Sequence, residues 1–349
     1  MPKLTTSKLT IAEAIYYHFY QRRRRAAQMR STPAPCKIVS VGNITTGGTG
    51  KTPAVQFVAR LLQEHGTRVA VVARGYGARL SGTGAVVSDG ATIFLNATDA
   101  GDEPLLHARS LPGVAVLIGR DRAAAAQRAM QEFGAQIVVL DDAFQYWSLP
   151  RDFDLVLLDA RRPFGNGRLL PRGRLREPPS CLERADAVLL TRAALASATQ
   201  RANARTQIER FTTAPIFAAN HEPVALRDEA SGQNIELASL QSLPILAVSA
   251  LAHNSLFAAT LAGCGARILS HLERRDHHRW KAAELQQVAA HAARLGARVV
   301  VTTEKDAVKI APDATSPLPL WSLSIELRLG AEYSAFSRLI LDKLNLQAS

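Results

Sequence analysis

The sequence predicts an α/β protein: a mainly parallel sheet covered by helices in the manner of phosphate-loop nucleotide-binding folds, plus a second, smaller α/β domain joined by a β-hairpin linker. Three observations carry this. Short apolar runs alternate with helix-forming segments up to about residue 215, the pattern of parallel strands joined by crossover helices. The Gly-rich stretch Val41-Gly42-Asn43-Ile44-Thr45-Thr46-Gly47-Gly48-Thr49-Gly50-Lys51-Thr52-Pro53 joins one apolar run to a helix. After a looser stretch at 216–240, the alternation resumes on a smaller scale. The expected divisions are therefore 1–30, an amphipathic helix and basic cluster; 31–215, the larger domain; 216–240, the hairpin linker; and 241–349, the smaller domain.

Composition fits a folded protein with two cores: 349 residues, 47% hydrophobic and 21% charged. The formal net charge of +12 favours anionic partners, whether nucleic acid, nucleotide phosphates or an anionic membrane surface. Cys36, Cys181 and Cys264 are scattered and lack metal-binding or disulfide spacing. No cleavable signal or spanning segment is evident, because Glu13 and His18 interrupt the first apolar stretch. The catalytic body is expected in the cytoplasm.

In the first segment, Ile11, Ile15 and Phe19, with Ala12, Tyr16 and Tyr20, recur at i+4 spacing, and Arg22–Arg25 follow. This describes either a helix lying on an anionic membrane surface or one packing its apolar face on the domain. Nucleic-acid binding through the arginines is a third, weaker reading.

The stretch at 39–58 has the strand–loop–helix layout of a phosphate-binding loop. Gly47, Gly48, Thr49, Gly50, Lys51 and Thr52 are the candidate phosphate contacts: backbone N–H groups converge on anionic oxygens, Lys51 reaches the β/γ-phosphates and Thr52 can ligate Mg²⁺. Thr45 stands where the strict pattern has glycine, so the loop is a variant. The next strand, 68–72, ends in a loop carrying Arg74, Tyr76 and Arg79, where ligands bind in open α/β sheets and where an ordinary turn is an equal alternative. Asp102, entering a helix, reads as a first-turn acidic residue. A strand at 114–118 leads to Gly119-Arg120-Asp121-Arg122, and one at 136–140 runs into Asp141-Asp142, carboxylates placed to hold a nucleotide-bound metal.

Strand 153–159 precedes a long Gly/Pro/Arg loop, 161–178, whose length implies function, and strand 187–191 completes the larger sheet. In the smaller domain, strands at 245–249 and 297–301 flank Asp276-His277-His278. Adjacent histidines cannot both point at one site from a regular helix, which disfavours a zinc pair; one of them, next to Asp276, is a candidate catalytic or orienting imidazole.

Together these stretches resemble one family, the tetraacyldisaccharide 4'-kinases. The shared motifs are the Gly-rich loop, Arg74-Gly75-Tyr76-Gly77, Gly101-Asp102-Glu103-Pro104, Gly119-Arg120-Asp121-Arg122, Asp141-Asp142, Gly165-Asn166-Gly167 with Leu175-Arg176-Glu177-Pro178, Asp276-His277-His278, and Thr303-Glu304-Lys305-Asp306-Ala307-Val308-Lys309. The resemblance implies transfer of the ATP γ-phosphate, with Mg²⁺, to the 4'-hydroxyl of a tetraacyl disaccharide 1-phosphate in lipid A biosynthesis. The setting it implies is the cytoplasmic face of the bacterial inner membrane, reached through the N-terminal helix, with no nucleic-acid or protein partner. It implies Asp102 as base with His277 as its partner, and Lys51 on the phosphates. Thr52, Asp141, Asp142 and Glu177 are then candidate metal contacts, and Arg74, Tyr76, Arg120 and Asn166 candidate substrate contacts. A GTPase is disfavoured, since Thr303-Glu304-Lys305-Asp306 does not fit a guanine-reading motif. This chain departs from the family pattern at Ala73, at Ala143 and Tyr146, where glycine and histidine are usual, and at 250–255. A catalytically diverged homologue that binds only nucleotide and membrane is the alternative those changes leave open.

Overall fold

The computed structural model describes residues 9–251, 253–276, 278–310 and 318–346. They divide into two compact units: one contains the chain up to His221 together with the residues from Leu327 onward, and the other is Glu222–Glu326.

The first unit begins with α1 (Ile11–Met29) and continues through β1 (Lys37–Asn43), α2 (Lys51–Glu64), β2 (Val69–Ala73), β3 (Ala85–Ser88), α3 (Ala97–Ala100) and α4 (Asp102–Ser110). It then runs through β4 (Ala115–Ile118), α5 (Arg122–Phe133), β5 (Ile137–Asp141), β6 (Phe153–Asp159), β7 (Ala187–Thr191), α6 (Ala198–Glu209) and β8 (Ile216–Asp228). The strand order β8-β7-β6-β1-β5-β2-β4-β3 is parallel throughout except for edge strand β3. Strands β1, β5, β6 and β7 are nearly continuous apolar runs because both faces of the sheet are covered. β1 lies between β5 and β6, so the loop that follows it emerges among the carboxyl ends of its neighbours.

The second unit holds β9 (Asn234–Ile235), β10 (Pro244–Ser249), α7 (Asn254–Gly263), β11 (Arg267–Glu273), α8 (Ala282–Arg294), β12 (Val299–Thr303), α9 (Glu304–Ala307) and β13 (Leu320–Arg328). Its strands β11-β10-β12-β13 are parallel. The chain closes with α10 (Tyr333–Lys343).

Two features differ from the sequence expectation. Residues 216–240 are not merely a linker: β8 is a 13-residue strand whose first part pairs with β7, and only its end forms a hairpin with β9. The residues from Leu327 onward belong with the larger unit and not with 241–326. The reason is α10, whose Phe336, Ile340 and Leu341 are buried in the same core as Val55, Phe153 and Phe217, with Phe336 against Phe57, Phe153 and Phe217. An amphipathic helix belongs where its apolar stripe finds a core.

Candidate active site

The loop after β1 ends at Gly50, which has φ 82° and caps α2 without a side-chain hydrogen bond. The first amides of α2 are thus not taken by a capping side chain, the arrangement that receives an anion. A side chain at position 50 would overlap the His221 imidazole at the end of the first unit. Gly42 has a similar constraint, since an added Cβ would lie 2.8 Å from the Cβ of Phe144 and 2.9 Å from its backbone nitrogen. The segment after the Asp141-Asp142 pair therefore presses directly on the strand that feeds the loop.

Lys51, the first residue of α2, points its ammonium toward Asp142, 3.8 Å away. Asp142 adopts a left-handed backbone (φ 49°) and is also held by the Arg176 guanidinium at 2.9 Å. Asp141, at the end of β5, is buried. One carboxylate oxygen lies 3.3 Å from His107 Nε2, while the other, Oδ1, is buried without a partner. Burial works to raise the Asp141 pKa, but the His107 hydrogen bond, Lys51 and Arg122 outweigh it and hold the carboxyl below its usual value. A buried, ionised oxygen with no donor, on a carboxylate that feels the charge of Lys51, suits a hard cation such as Mg²⁺. Arg122 Nη2 caps the backbone carbonyls of both aspartates, at 3.4 and 3.2 Å.

Glu177 is fully buried. It accepts from Tyr20 Oη (2.6 Å), Gln145 Nε2 (2.8 Å) and Arg184 Nη2 (3.0 Å). The same Gln145 amide donates to the Asn43 carbonyl at the start of the loop (2.8 Å), and Tyr16 Oη donates to the Arg176 carbonyl (2.9 Å). Through these bonds α1 holds the 176–177 segment, and Gln145 ties that segment to the start of the loop. Glu177 is thereby a structural hub whose two oxygens are occupied.

Asp102 opens α4 directly after Gly101, whose φ is 89°. Arg74 and Tyr76 follow β2 and Arg120 follows β4, all three exposed at the carboxyl edge of the sheet. Asn166 serves its own loop, with Nδ2 donating to the Arg172 carbonyl and Oδ1 accepting from the Arg168 N–H, both at 3.2 Å. His277 lies outside the described residues. Its neighbours in the second unit are anchored: Asp276 pairs with Lys305 at 3.3 Å and His278 with Glu284 at 2.7 Å. Within the first unit, then, Lys51, Asp141 and Asp142 come together directly, and Glu177 reaches them through Gln145 and Arg176.

A family model described as tetraacyldisaccharide-1-P 4'-kinase matches residues 5–345. The chain belongs to the tetraacyldisaccharide 4'-kinase family. A tetraacyldisaccharide 4'-kinase of Syntrophus aciditrophicus is 42% identical over 323 residues, 90% of this chain and 86% of that one. One from Anaeromyxobacter dehalogenans strain 2CP-C is 48% identical over 281 residues, covering 80% and 74%. Among solved structures, LpxK from Aquifex aeolicus in complex with ATP matches with a TM-score of 0.75 at 26% identity, covering 95% of this chain and 97% of that one.

The departures from the family pattern are absorbed locally. The Ala143 methyl is buried in the apolar cluster with Val138, Leu140 and Leu149. Tyr146 Oη accepts from the Arg122 N–H (3.1 Å) and donates to Asp121 (3.3 Å). Sequence reasoning missed His107, Arg122, Arg176, Asp159, Thr191, Arg192 and His221. Of these, Arg122 and Arg176 lie inside motifs that the sequence does display, and the others carry no local signal.

Proposed function

We propose that this tetraacyldisaccharide 4'-kinase family member acts through the loop at 47–52 and the aspartates facing it. The reaction moves the γ-phosphoryl group of ATP to the 4'-hydroxyl of a tetraacyl disaccharide 1-phosphate. The observation that carries this reading is the convergence of Lys51 and Asp142 at the loop with the buried, unpartnered Oδ1 of Asp141.

Gly47 to Thr52 would hold the phosphates, Lys51 neutralising the β/γ oxygens, and Thr52 with Asp141 and Asp142 would hold Mg²⁺. Bound with the nucleotide, that ion supplies charge neutralisation on the phosphate oxygens. Asp102 accepts the proton of the 4'-hydroxyl as its oxygen bonds to phosphorus and the bond to the ADP leaving group breaks. The family resemblance assigns His277 as the partner of that base. Arg74, Tyr76 and Arg120, exposed at the same edge of the sheet, are assigned to the substrate. Glu177, with both oxygens engaged, supports the frame and is not needed as a metal ligand.

The enzyme works as a peripheral protein on the cytoplasmic face of the inner membrane, carried there by α1. Ile11, Ile15 and Phe19 are 81%, 54% and 58% exposed at i+4 spacing, and the basic run Arg22–Arg25 follows. Such a stripe beside arginines suits an anionic lipid interface. No helix among the described residues is long and apolar enough to cross a membrane.

The test follows labelled γ-phosphate from ATP onto the tetraacyl disaccharide 1-phosphate in detergent micelles. Asp102→Ala should lower turnover by about 10²–10⁴-fold, the range for losing a positioned base, while nucleotide binding persists. Unchanged turnover would remove Asp102 from the mechanism. A wild-type chain that binds ATP without transferring phosphate would favour the diverged homologue.

A further inference from the structure

A phosphate loop works only if its N–H groups face the ligand, and in a trans peptide the N–H points opposite to the carbonyl of the preceding residue. Whatever holds the loop's carbonyls outward therefore aims its donors inward. In this chain two of those carbonyls have specific partners. The Gly48 carbonyl accepts from Arg192 Nη2, and the Thr49 carbonyl accepts from Thr191 Oγ1 at 3.0 Å. Neither peptide is cis, so these bonds fix the directions of the Thr49 and Gly50 N–H groups.

Arg192 is itself held in place. Its other terminal nitrogen, Nη1, lies 2.8 Å from Asp159 Oδ2, and both side chains are largely buried. Its backbone takes the left-handed conformation (φ 57°), uncommon for a residue with a side chain, directly after β7. Asp159 ends β6 and Thr191 ends β7, and the sheet order places these strands in succession beside β1. Neither Arg192 nor Asp159 belongs to the motifs that identify the family, yet together they reach the middle of the loop.

We infer that Arg192 is a positioning residue for nucleotide binding: bridging Asp159 and the Gly48 carbonyl, it sets the Gly48–Thr49 peptide so that the Thr49 N–H faces the phosphates. This rests on reading residues 47–52 as the ATP phosphate site. The two-point contact requires a guanidinium. Lysine retains the charge, but its single ammonium is not a planar fork and does not reproduce the bridge.

The experiment measures binding of a fluorescent N-methylanthraniloyl ATP with Mg²⁺ to the full chain, together with KM for ATP and for the lipid disaccharide, in wild type, Arg192→Lys, Asp159→Asn and the double variant. Arg192→Lys and Asp159→Asn should each weaken nucleotide affinity by about tenfold, the scale of one charged hydrogen bond. They should raise KM for ATP while leaving KM for the lipid within about twofold, and the double variant should be no worse than the weaker single. Three results would overturn the inference alone: wild-type affinity in Arg192→Lys, losses in the double variant that multiply, or a lowered melting temperature with unchanged nucleotide affinity. A wild-type chain that binds no nucleotide analogue overturns the phosphate-loop reading and the inference with it.

Discussion

Tyr20→Phe removes one oxygen from α1 and tests whether that helix is part of the site's frame or only a tether. The phenol donates to the buried carboxylate of Glu177 at 2.6 Å, and its ring stacks at 5.7 Å on Tyr17 and edge-on at 5.4 Å against Trp147. Phenylalanine keeps the ring contacts and leaves Glu177 with Gln145 and Arg184 as donors. The expected loss is that of a hydrogen bond to a charged, buried group, about 1.5–3 kcal/mol. Because a chain of two compact units need not unfold in one step, the suitable assay is amide hydrogen exchange along Ile11–Met29, which reads the local undocking of the helix. Protection there should fall by roughly ten- to a hundredfold. Tyr17→Phe serves as the control, since among the described residues the Tyr17 oxygen meets Gln21 of the same helix. Undiminished protection in Tyr20→Phe, or an equal effect of Tyr17→Phe, would refute the idea that the Glu177 hub docks α1.

On the opposite face of the same helix, Ile15→Ser with Phe19→Ser should shift the protein from anionic vesicles to solution in a sedimentation assay while its melting temperature holds, because both side chains are exposed; unaltered sedimentation would take the apolar stripe out of membrane binding. His221 predicts a pH dependence. Burial and then Arg192 push its pKa down to about 4 from the ordinary 6.5, so the unfolded chain binds the extra proton between those values. Its contribution is complete above pH 6.5 and is lost as pH falls toward 4, about 3 kcal/mol in all. Wild type should therefore lose more stability than His221→Asn across that window, and parallel curves would show that the imidazole is not held neutral. Tyr146→Phe should cost about 1 kcal/mol of stability and leave turnover within about threefold, as expected if the phenol only ties Asp121 to Arg122. A large loss of turnover at unchanged stability would place that hydroxyl in the reaction.

What the sequence reveals follows from how local each signal is. β5 and β7 are legible because strands buried on both faces appear as nearly unbroken apolar runs, β1 and β6 as apolar runs interrupted by Ser40 and Asp154, and the loop is legible because its glycines and Lys51 are contiguous. The N-terminal helix is legible only in outline. Its i+4 apolar stripe is the exposed face, while the inward face is polar and aromatic, with Tyr16, Tyr20 and a buried Glu13 that closes a capping box with Thr10 and pairs with Arg168 at 3.1 Å. Glu13, which in the sequence interrupts an apolar pattern, thus marks the docking side. Arg192 and His221 are illegible for a different reason: their roles depend on β6, β7 and β8 lying in succession beside β1, which no local pattern states. The placement of α10 is similarly non-local, since Phe57, Phe153 and Phe217 that receive Phe336 come from three separate elements.

The replacement of histidine by Tyr146 bears on how the Asp141-Asp142 pair is kept in place. Arg122 caps both aspartate carbonyls and lies at the first position of α5, so the pair is only as fixed as the start of that helix. Asp121 accepts from the Ala123 and Ala124 amides, and Tyr146 adds a bond to the Arg122 N–H and a ring 5.0 Å beneath its guanidinium. The phenol also comes from the segment that continues from the aspartates, so the turn closes on itself through α5. An imidazole is shorter than a phenol and presents its polar atoms at the ring, whereas the tyrosine presents an aromatic face to the cation and an oxygen to the helix start. The chemistry assigned to Lys51, Asp141 and Asp142 passes through none of these bonds. Exchanging histidine for tyrosine therefore alters what braces the carboxylates and leaves unchanged the groups proposed to meet the phosphates.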